Sequence, residues 1–107
     1  MKAISQQVGD VTIVLLSGKL ELGQVSWLKD IFAELYIRKH DKVILDMKGV
    51  KKIDNACIHE LETIQDRLQS IGGKLELLHV QGVSGFTLAT LTSFDVYDDK
   101  MLAITNF

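Results

Sequence analysis

Cys57 and His59 are the residue types best suited to nucleophilic chemistry, and they lie two positions apart in the chain. The segment around them is predicted to be helical, and residues two apart on a helix point about 200° away from each other. A nucleophile and its base must come within hydrogen-bonding distance of one another. These two side chains therefore cannot form a catalytic pair.

Two further stretches match known chemical motifs only in part. His59 and Glu60 begin the helix motif of zinc proteases, but Thr63 stands where the second histidine ligand is required. Residues 72–74 (Gly-Gly-Lys) lack the longer arch and the following hydroxyl of a phosphate-binding loop. A glycine pair of this kind is typical of a helix end before a strand. We therefore expect a chain that is not an enzyme and that carries no cofactor and no metal ion.

The single cysteine has a reactive and a structural interpretation. A thiol at a helix N-terminus can have a lowered pKa and react readily. Cys57, however, also begins an apolar stripe with helical spacing, which favours a buried and inert thiol. The stripe continues through Leu61, Ile64, Leu68 and Ile71. One cysteine cannot form an internal disulfide, which agrees with a reducing compartment.

Length, charge and hydropathy restrict the possible classes of function. The 107 residues suffice for one hydrophobic core, so we expect a single domain over residues 1–107. A net charge of −2 gives little attraction to nucleic acid, whose binding depends on neutralising phosphates. No apolar run approaches the roughly 20 residues of a membrane-spanning helix, and the N-terminus has no signal-peptide block. We therefore expect a cytoplasmic location, without membrane insertion and without a nucleic-acid partner.

Basic residues cluster in the middle of the sequence. Between residues 38 and 52 the basic side chains are Arg38, Lys39, Lys42, Lys48, Lys51 and Lys52, against the acidic Asp41 and Asp46. One interpretation is a solvated basic rim. The other is a surface that attracts an acidic protein partner.

Apolar periodicity and glycine punctuation predict the secondary structure. We predict strands over residues 2–8, 11–17, 42–47 and 74–80, and helices over residues 24–39 and from residues 54–55 to the glycine pair at 72–73. The first two strands are expected to form an antiparallel hairpin across Gly9 and Asp10. The second strand is apolar enough to be covered on both faces, whereas the weaker first strand could leave an edge open for pairing.

The last third of the chain is less regular. Here the pattern predicts a helix over residues 84–91, an edge strand at residues 96–97 and a short helix over residues 98–104. The order is β-β-α-β-α-β-α with an irregular end, and helices between the later strands imply parallel neighbours. We therefore expect an α/β domain with a mixed sheet of four to five strands and helices packed against it.

Three successive segments resemble the STAS domain family. They are residues 17–21 (Ser-Gly-Lys-Leu-Glu), residues 43–54 (Val-Ile-Leu-Asp-Met-Lys-Gly-Val-Lys-Lys-Ile-Asp) and residues 68–77 (Leu-Gln-Ser-Ile-Gly-Gly-Lys-Leu-Glu-Leu). The likeness extends over roughly residues 2–104 in the order of the family. It implies a single STAS-like domain similar to the bacterial anti-sigma factor antagonists, which are regulatory protein-binding modules.

The resemblance also implies a switch that this sequence does not carry in its usual form. In the family, the second serine of an Asp-Ser-Ser-Gly helix start is phosphorylated by a partner kinase that is also the anti-sigma factor. The added charge of about −2 prevents docking. Here the corresponding residues are Asp54, Asn55, Ala56 and Cys57, and no serine or threonine lies between residues 50 and 62. Ala56 occupies the phosphoacceptor position, so we expect no serine switch there.

The resemblance places the partner-binding face at the start of the second helix and on the loop before it. The expected residues are Lys48, Lys51, Lys52, Asp54, Asn55, Ala56, Cys57 and Ile58. Asp54 or Asn55 is also expected to cap the helix. The expected partner is an anti-sigma factor of the serine kinase type, and the alternative is the ATPase of an ABC-type lipid transport system, to which other free-standing STAS proteins attach as accessory subunits.

Overall fold

The structure, a computed structural model, describes residues 1–107. The chain is built on one five-stranded mixed sheet. The strands lie side by side in chain order: β1 (Lys2–Val8), β2 (Val11–Leu20), β3 (Lys42–Ile53), β4 (Lys74–Leu78) and β5 (Asp95–Tyr97). β1 pairs antiparallel with β2, and each later strand pairs parallel with the one before it. The expected α/β class, with a mixed sheet of four to five strands, is confirmed.

Helices cover both faces of this sheet. A short 3₁₀ turn (Leu22–Gln24, the 22–24 turn) leads into α1 (Val25–Ile37), and α2 (Asn55–Ser70) packs beside α1 on the same face. The chain ends with the single-turn helix α3 (Leu88–Leu91) and with α4 (Lys100–Thr105), which lies on the opposite face. Thus the predicted edge strand and final short helix are both present.

Alternation along the strands supplies two separate apolar cores. Val14, Leu45 and Leu77 point towards α1 and α2, whereas Ile13 and Ile44 point towards α4. All of these side chains are buried, and each contributes about 1.5–3 kcal/mol relative to an exposed position. Residues 11–14 of β2 are all buried, so this part of the strand is covered on both faces as predicted, whereas Leu15 is 39% exposed.

The strands β2 and β3 are longer than predicted, because Gly49 continues β3 and does not end it. Pairing between β2 and β3 continues past Ser17 and Met47 to Leu20 and Ile53, with two irregularities in register. Gly49 lies so close to β2 that a Cβ there would be 2.8 Å from the Leu16 carbonyl oxygen. Gly49 interrupts the apolar pattern because β2 and β3 approach each other closely at this position, and it does not end β3.

Three predicted boundaries were wrong for local reasons. β4 ends at Leu78 because His79 adopts a φ of +59°, which an extended strand does not tolerate. The helix predicted over residues 84–91 is only Leu88–Leu91, since Gly85 has a φ of +114° and its neighbour Ser84 bonds to β3. Ile71 lies beyond the last turn of α2 and is 45% exposed, so it is not part of the inner stripe.

Candidate partner-binding site

The ends of β2 and β3 extend beyond the rest of the sheet and form a two-stranded arm. The outer edge of this arm is held by Ser84, whose carbonyl accepts from the Ile53 N–H at 2.8 Å and whose N–H donates to the Lys51 carbonyl at 3.0 Å. The next residue must be glycine, because a Cβ at Gly85 would overlap the Ile53 carbonyl oxygen. The end of β3, which leads directly into α2, is therefore hydrogen-bonded to β2 on one side and to Ser84 on the other.

Asp54 joins α2 to the loop that follows β2. Its backbone N–H donates to the Leu20 carbonyl at 2.8 Å, and its Oδ2 accepts from the Leu22 N–H at 3.2 Å. Asp54 occupies the N-cap position, but its side chain accepts no bond from the helix itself. The expectation that Asp54 or Asn55 caps α2 through its side chain was thus wrong, because the carboxylate is used by the 22–24 turn instead.

Cys57, which lies beneath the surface, also connects α2 to the loop that follows β2. The thiol is fully buried and donates to the Glu21 carbonyl at 3.2 Å. Burial raises the pKa of Cys57, and the nearby negative charges of Asp54 and Glu60 raise it further. The structural interpretation of this cysteine is therefore the one that its surroundings support.

The surface of the α2 tip comes from two elements that are distant in sequence. Leu22 is 69% exposed, Asn55 is exposed, and Ala56 is partly exposed. Cys57 and Ile58, which we expected in the partner-binding face, are buried and lie under it. We use the name "α2 tip" for the surface formed by Leu22, Asn55 and Ala56.

The three lysines expected at this face occupy two different places. Lys52 Nζ lies 3.7 Å from Asp54 Oδ1 and thus adjoins the α2 tip. Lys51 is the extra residue of a bulge, since β2 advances by one residue while β3 advances by two, which leaves both lysines exposed. Lys48 lines a depression with Ile4 and Leu15, whose side chains lie on the sheet face turned away from α2.

The basic stretch of residues 38–52 is not one surface. Lys42 and Lys52 are at opposite ends of β3, roughly 30 Å apart at 3.3 Å per residue. Arg38 pairs with Glu34 at 2.8 Å, and Lys42 pairs with Asp10 at 2.6 Å. Only Lys51 and Lys52 of the stretch accompany Asp54, so a single basic rim that steers a partner is not formed.

The 22–24 turn is the part of the site that sequence reasoning missed. The segment at residues 17–21 is one of those that resemble the family, but the exposed Leu22 directly after it is not among the residues expected in the binding face. A signal was present, since Leu22 lies between Glu21 and Gly23 and belongs to neither apolar pattern.

No group of three or more histidine, cysteine, aspartate or glutamate side chains is arranged to hold a metal ion. No helix has both the length and the apolar composition needed to cross a membrane.

Comparison with protein families identifies the fold. The family model described as the STAS domain matches residues 2–98. The chain belongs to the STAS domain family. A comparison of its sequence with curated proteins gives no match.

Solved structures with the STAS fold superpose over nearly the whole chain. A Thermotoga maritima protein assigned as an anti-sigma factor antagonist has a TM-score of 0.84 at 21% identity, covering 96% of this chain and 92% of that one. An anti-sigma factor antagonist from Mycobacterium paratuberculosis has a TM-score of 0.78 at 13% identity, covering 97% and 91%. The anti-sigma factor antagonist SpoIIAA in its unphosphorylated form has a TM-score of 0.73 at 12% identity, covering 98% and 96%. At these identities the likeness demonstrates a shared fold.

Proposed function

We propose that this STAS domain is a regulatory protein-binding module that docks an anti-sigma factor of the serine kinase type through the α2 tip, and that it does so without the serine switch. The observation that supports this most directly is the composition of the tip. It presents Leu22, Asn55 and Ala56 at the surface, and no hydroxyl side chain lies in the first two turns of α2. The module is expected to act in the bacterial cytoplasm, where such partners occur.

The bonding beneath the tip favours a docking role. The Asp54 carboxylate and the Cys57 thiol bond to the two successive residues Leu22 and Glu21, which hold the 22–24 turn against α2. A surface whose backbone is already ordered loses little conformational entropy when a partner binds. An exposed leucine in such a place supplies apolar contact area at the centre of an interface.

A charge placed on the tip tests this proposal. Ala56→Asp adds a negative charge at the N-terminal turn of α2, where the helix dipole tolerates it, so the fold should remain intact. We expect affinity for the kinase-type anti-sigma factor of the same genome to fall at least about tenfold, since the carboxylate must be desolvated on docking. Isothermal titration calorimetry with the purified partner measures this.

Ala33→Asp is the matched control, because Ala33 is exposed on α1, more than two turns after its start. This variant should bind like the wild type. Equal affinities for wild type and Ala56→Asp would place the docking surface elsewhere. Binding to a transport ATPase, with none to the kinase, would replace the proposal by the accessory-subunit alternative.

Restoring the missing hydroxyl tests the absence of the switch. With the kinase and ATP, the wild type should incorporate no phosphate, whereas Ala56→Ser should be phosphorylated and should then lose affinity for the kinase. Intact-protein mass spectrometry reads both reactions. Phosphate on the wild-type chain would show that a switch exists at another residue.

A further inference from the structure

β1 forms a long, unprotected edge of the sheet. Every residue from Lys2 to Gln7 is exposed, the strand has no bulge in its register with β2, and no charged residue lies between Ala3 and Val8. The opposite edge is different, because β5 has three residues and carries or adjoins three acidic side chains, Asp95, Asp98 and Asp99. Short length and charge prevent strand pairing at β5, and neither device protects β1.

The hairpin determines which backbone groups of β1 face the open edge. Val8 and Val11 close a two-residue turn in which Gly9 has a φ of +61°, as a type II′ turn requires of its first central residue. The closing pair of such a hairpin is hydrogen-bonded, and bonded pairs alternate with non-bonded pairs along an antiparallel ladder. The N–H and C=O groups that point outward therefore belong to Ala3, Ser5 and Gln7.

We propose that β1 pairs antiparallel with β1 of a second copy of this chain, about a two-fold axis through Ser5. In this register Ser5 faces its own copy and Ala3 faces Gln7, so every outward backbone group finds a partner. Lys2 faces Val8, so no like charges oppose each other. A two-fold interface requires self-complementarity of this kind, because the same patch is used by both chains.

The neighbouring helix α1 is compatible with the same axis. A groove of about 370 Å³ runs between β1 and α1, and its walls include Ser5, Glu34 and Arg38. A two-fold axis normal to the sheet brings the two copies of α1 antiparallel across this groove. Glu34 and Arg38 already pair within each chain at 2.8 Å, so the facing copies of α1 bring no uncompensated charge together at this position.

The pairing has a consequence for the α2 tip. Lys2 pairs with Ser17, so the N-terminal end of β1 lies at the end of the sheet where the tip is located. Antiparallel pairing of two β1 strands therefore directs the two tips to opposite ends of a ten-stranded sheet. Both tips stay exposed, and the dimer would present two equivalent docking surfaces.

Sedimentation equilibrium of the purified chain tests the dimer. We expect a concentration-dependent mass that rises to twice 12.0 kDa. Ser5→Pro removes the outward N–H at the axis without touching the ladder to β2, and proline is tolerated on an edge strand in that position. The variant should raise the dimer dissociation constant about tenfold or more, since each copy loses one interchain hydrogen bond.

A charge exchange tests the register independently. Ser5→Lys and Ser5→Glu should each weaken self-association, because like charges then oppose each other at the axis, and an equimolar mixture should restore a heterodimer. Ser26→Lys and Ser26→Glu serve as controls, since Ser26 is exposed on α1 and does not line the groove beside β1. A wild type that stays at 12.0 kDa at all concentrations, or a dimer insensitive to the Ser5 variants, would overturn the proposal. These measurements need no partner protein, so their outcome is separate from that of the proposed function.

Discussion

Asp54 accepts a hydrogen bond from the Leu22 N–H although the two residues are 32 positions apart in the chain. The bond links the last residue before α2 to the first residue of the 22–24 turn, so one carboxylate positions both halves of the α2 tip. Lys52 lies 3.7 Å from the other carboxylate oxygen and its side chain is about half exposed, so this ion pair is weakened by solvent and the hydrogen bond is the more important contact of the two.

Removing this acceptor should loosen the turn. We expect Asp54→Ala to lower the free energy of unfolding by about 1 kcal/mol and to speed amide hydrogen exchange at Leu22. Asp54→Asn keeps an acceptor oxygen and should retain most of the stability. Asn55→Ala is the neighbouring control, since the Asn55 side chain is exposed and makes no hydrogen bond in the fold. Urea unfolding and exchange measured by NMR would contradict the role of Asp54 if its alanine variant behaved like that of Asn55.

The Cys57 thiol should be unreactive in the native protein. Its side chain is fully buried, and burial raises its pKa, so little thiolate forms near neutral pH and little of it is accessible. Alkylation by iodoacetamide should therefore be slow in buffer and fast in concentrated urea. Mass spectrometry of timed samples measures both rates. Rapid alkylation of the native protein would show that Cys57 is reactive and would contradict its structural interpretation.

Gly85 should tolerate no side chain. A Cβ at this position overlaps the Ile53 carbonyl oxygen, and its φ of +114° is strained for any L residue. Gly85→Ala should destabilise the chain by about 2 kcal/mol or more. Gly82→Ala is the matched control, because a Cβ there meets no atom within 4 Å, and its effect should lie within about 1 kcal/mol. Equal unfolding midpoints for the two variants would show that Ser84 and Gly85 do not hold the arm.

Glu76 should make the stability of the fold depend on pH. Its side chain is fully buried in β4, and neither carboxylate oxygen has a hydrogen bond, although Lys74 Nζ lies 3.3 Å from Oε2. Burial raises the pKa of Glu76 above 4.5, against the opposing effect of Lys74. Lys74 is shared, since its Nζ also lies 3.5 Å from Asp95 Oδ2.

The sign of this dependence follows from proton binding. Above pH 4.5 the unfolded chain releases the Glu76 proton before the folded chain does, so stability falls as pH rises through the raised pKa. Glu76→Gln has no such proton, and its stability relative to wild type should therefore improve over the interval in which the pH rises from 4.5 through the raised pKa of Glu76. Urea unfolding across this interval measures the difference. Parallel pH profiles for the two proteins would contradict an unfavourable buried charge at Glu76.

Local pattern was sufficient for most of the fold but not for the site. The stripe that begins at Cys57 predicted α2, and the two glycines after Ser70 predicted its end, because each depends on neighbours within a few residues. The resemblance placed Lys48 in the same face as Lys52, and local reasoning predicted that Asp54 or Asn55 caps α2 through its side chain. Both errors arise from bulges and long-range bonds, to which sequence spacing is insensitive.

The sequence by itself determined the α/β class, the start of α2 near residues 54–55 and the absence of a hydroxyl at Ala56, and its resemblance to the family pointed to the STAS fold. The first three follow from apolar periodicity, turn residues and the identity of single side chains. Only the tertiary structure decided that Leu22 completes the α2 tip and that a groove lies between the edge strand β1 and α1. Both depend on which segments meet in space, and that is set by the packing of the whole sheet and not by neighbouring residues.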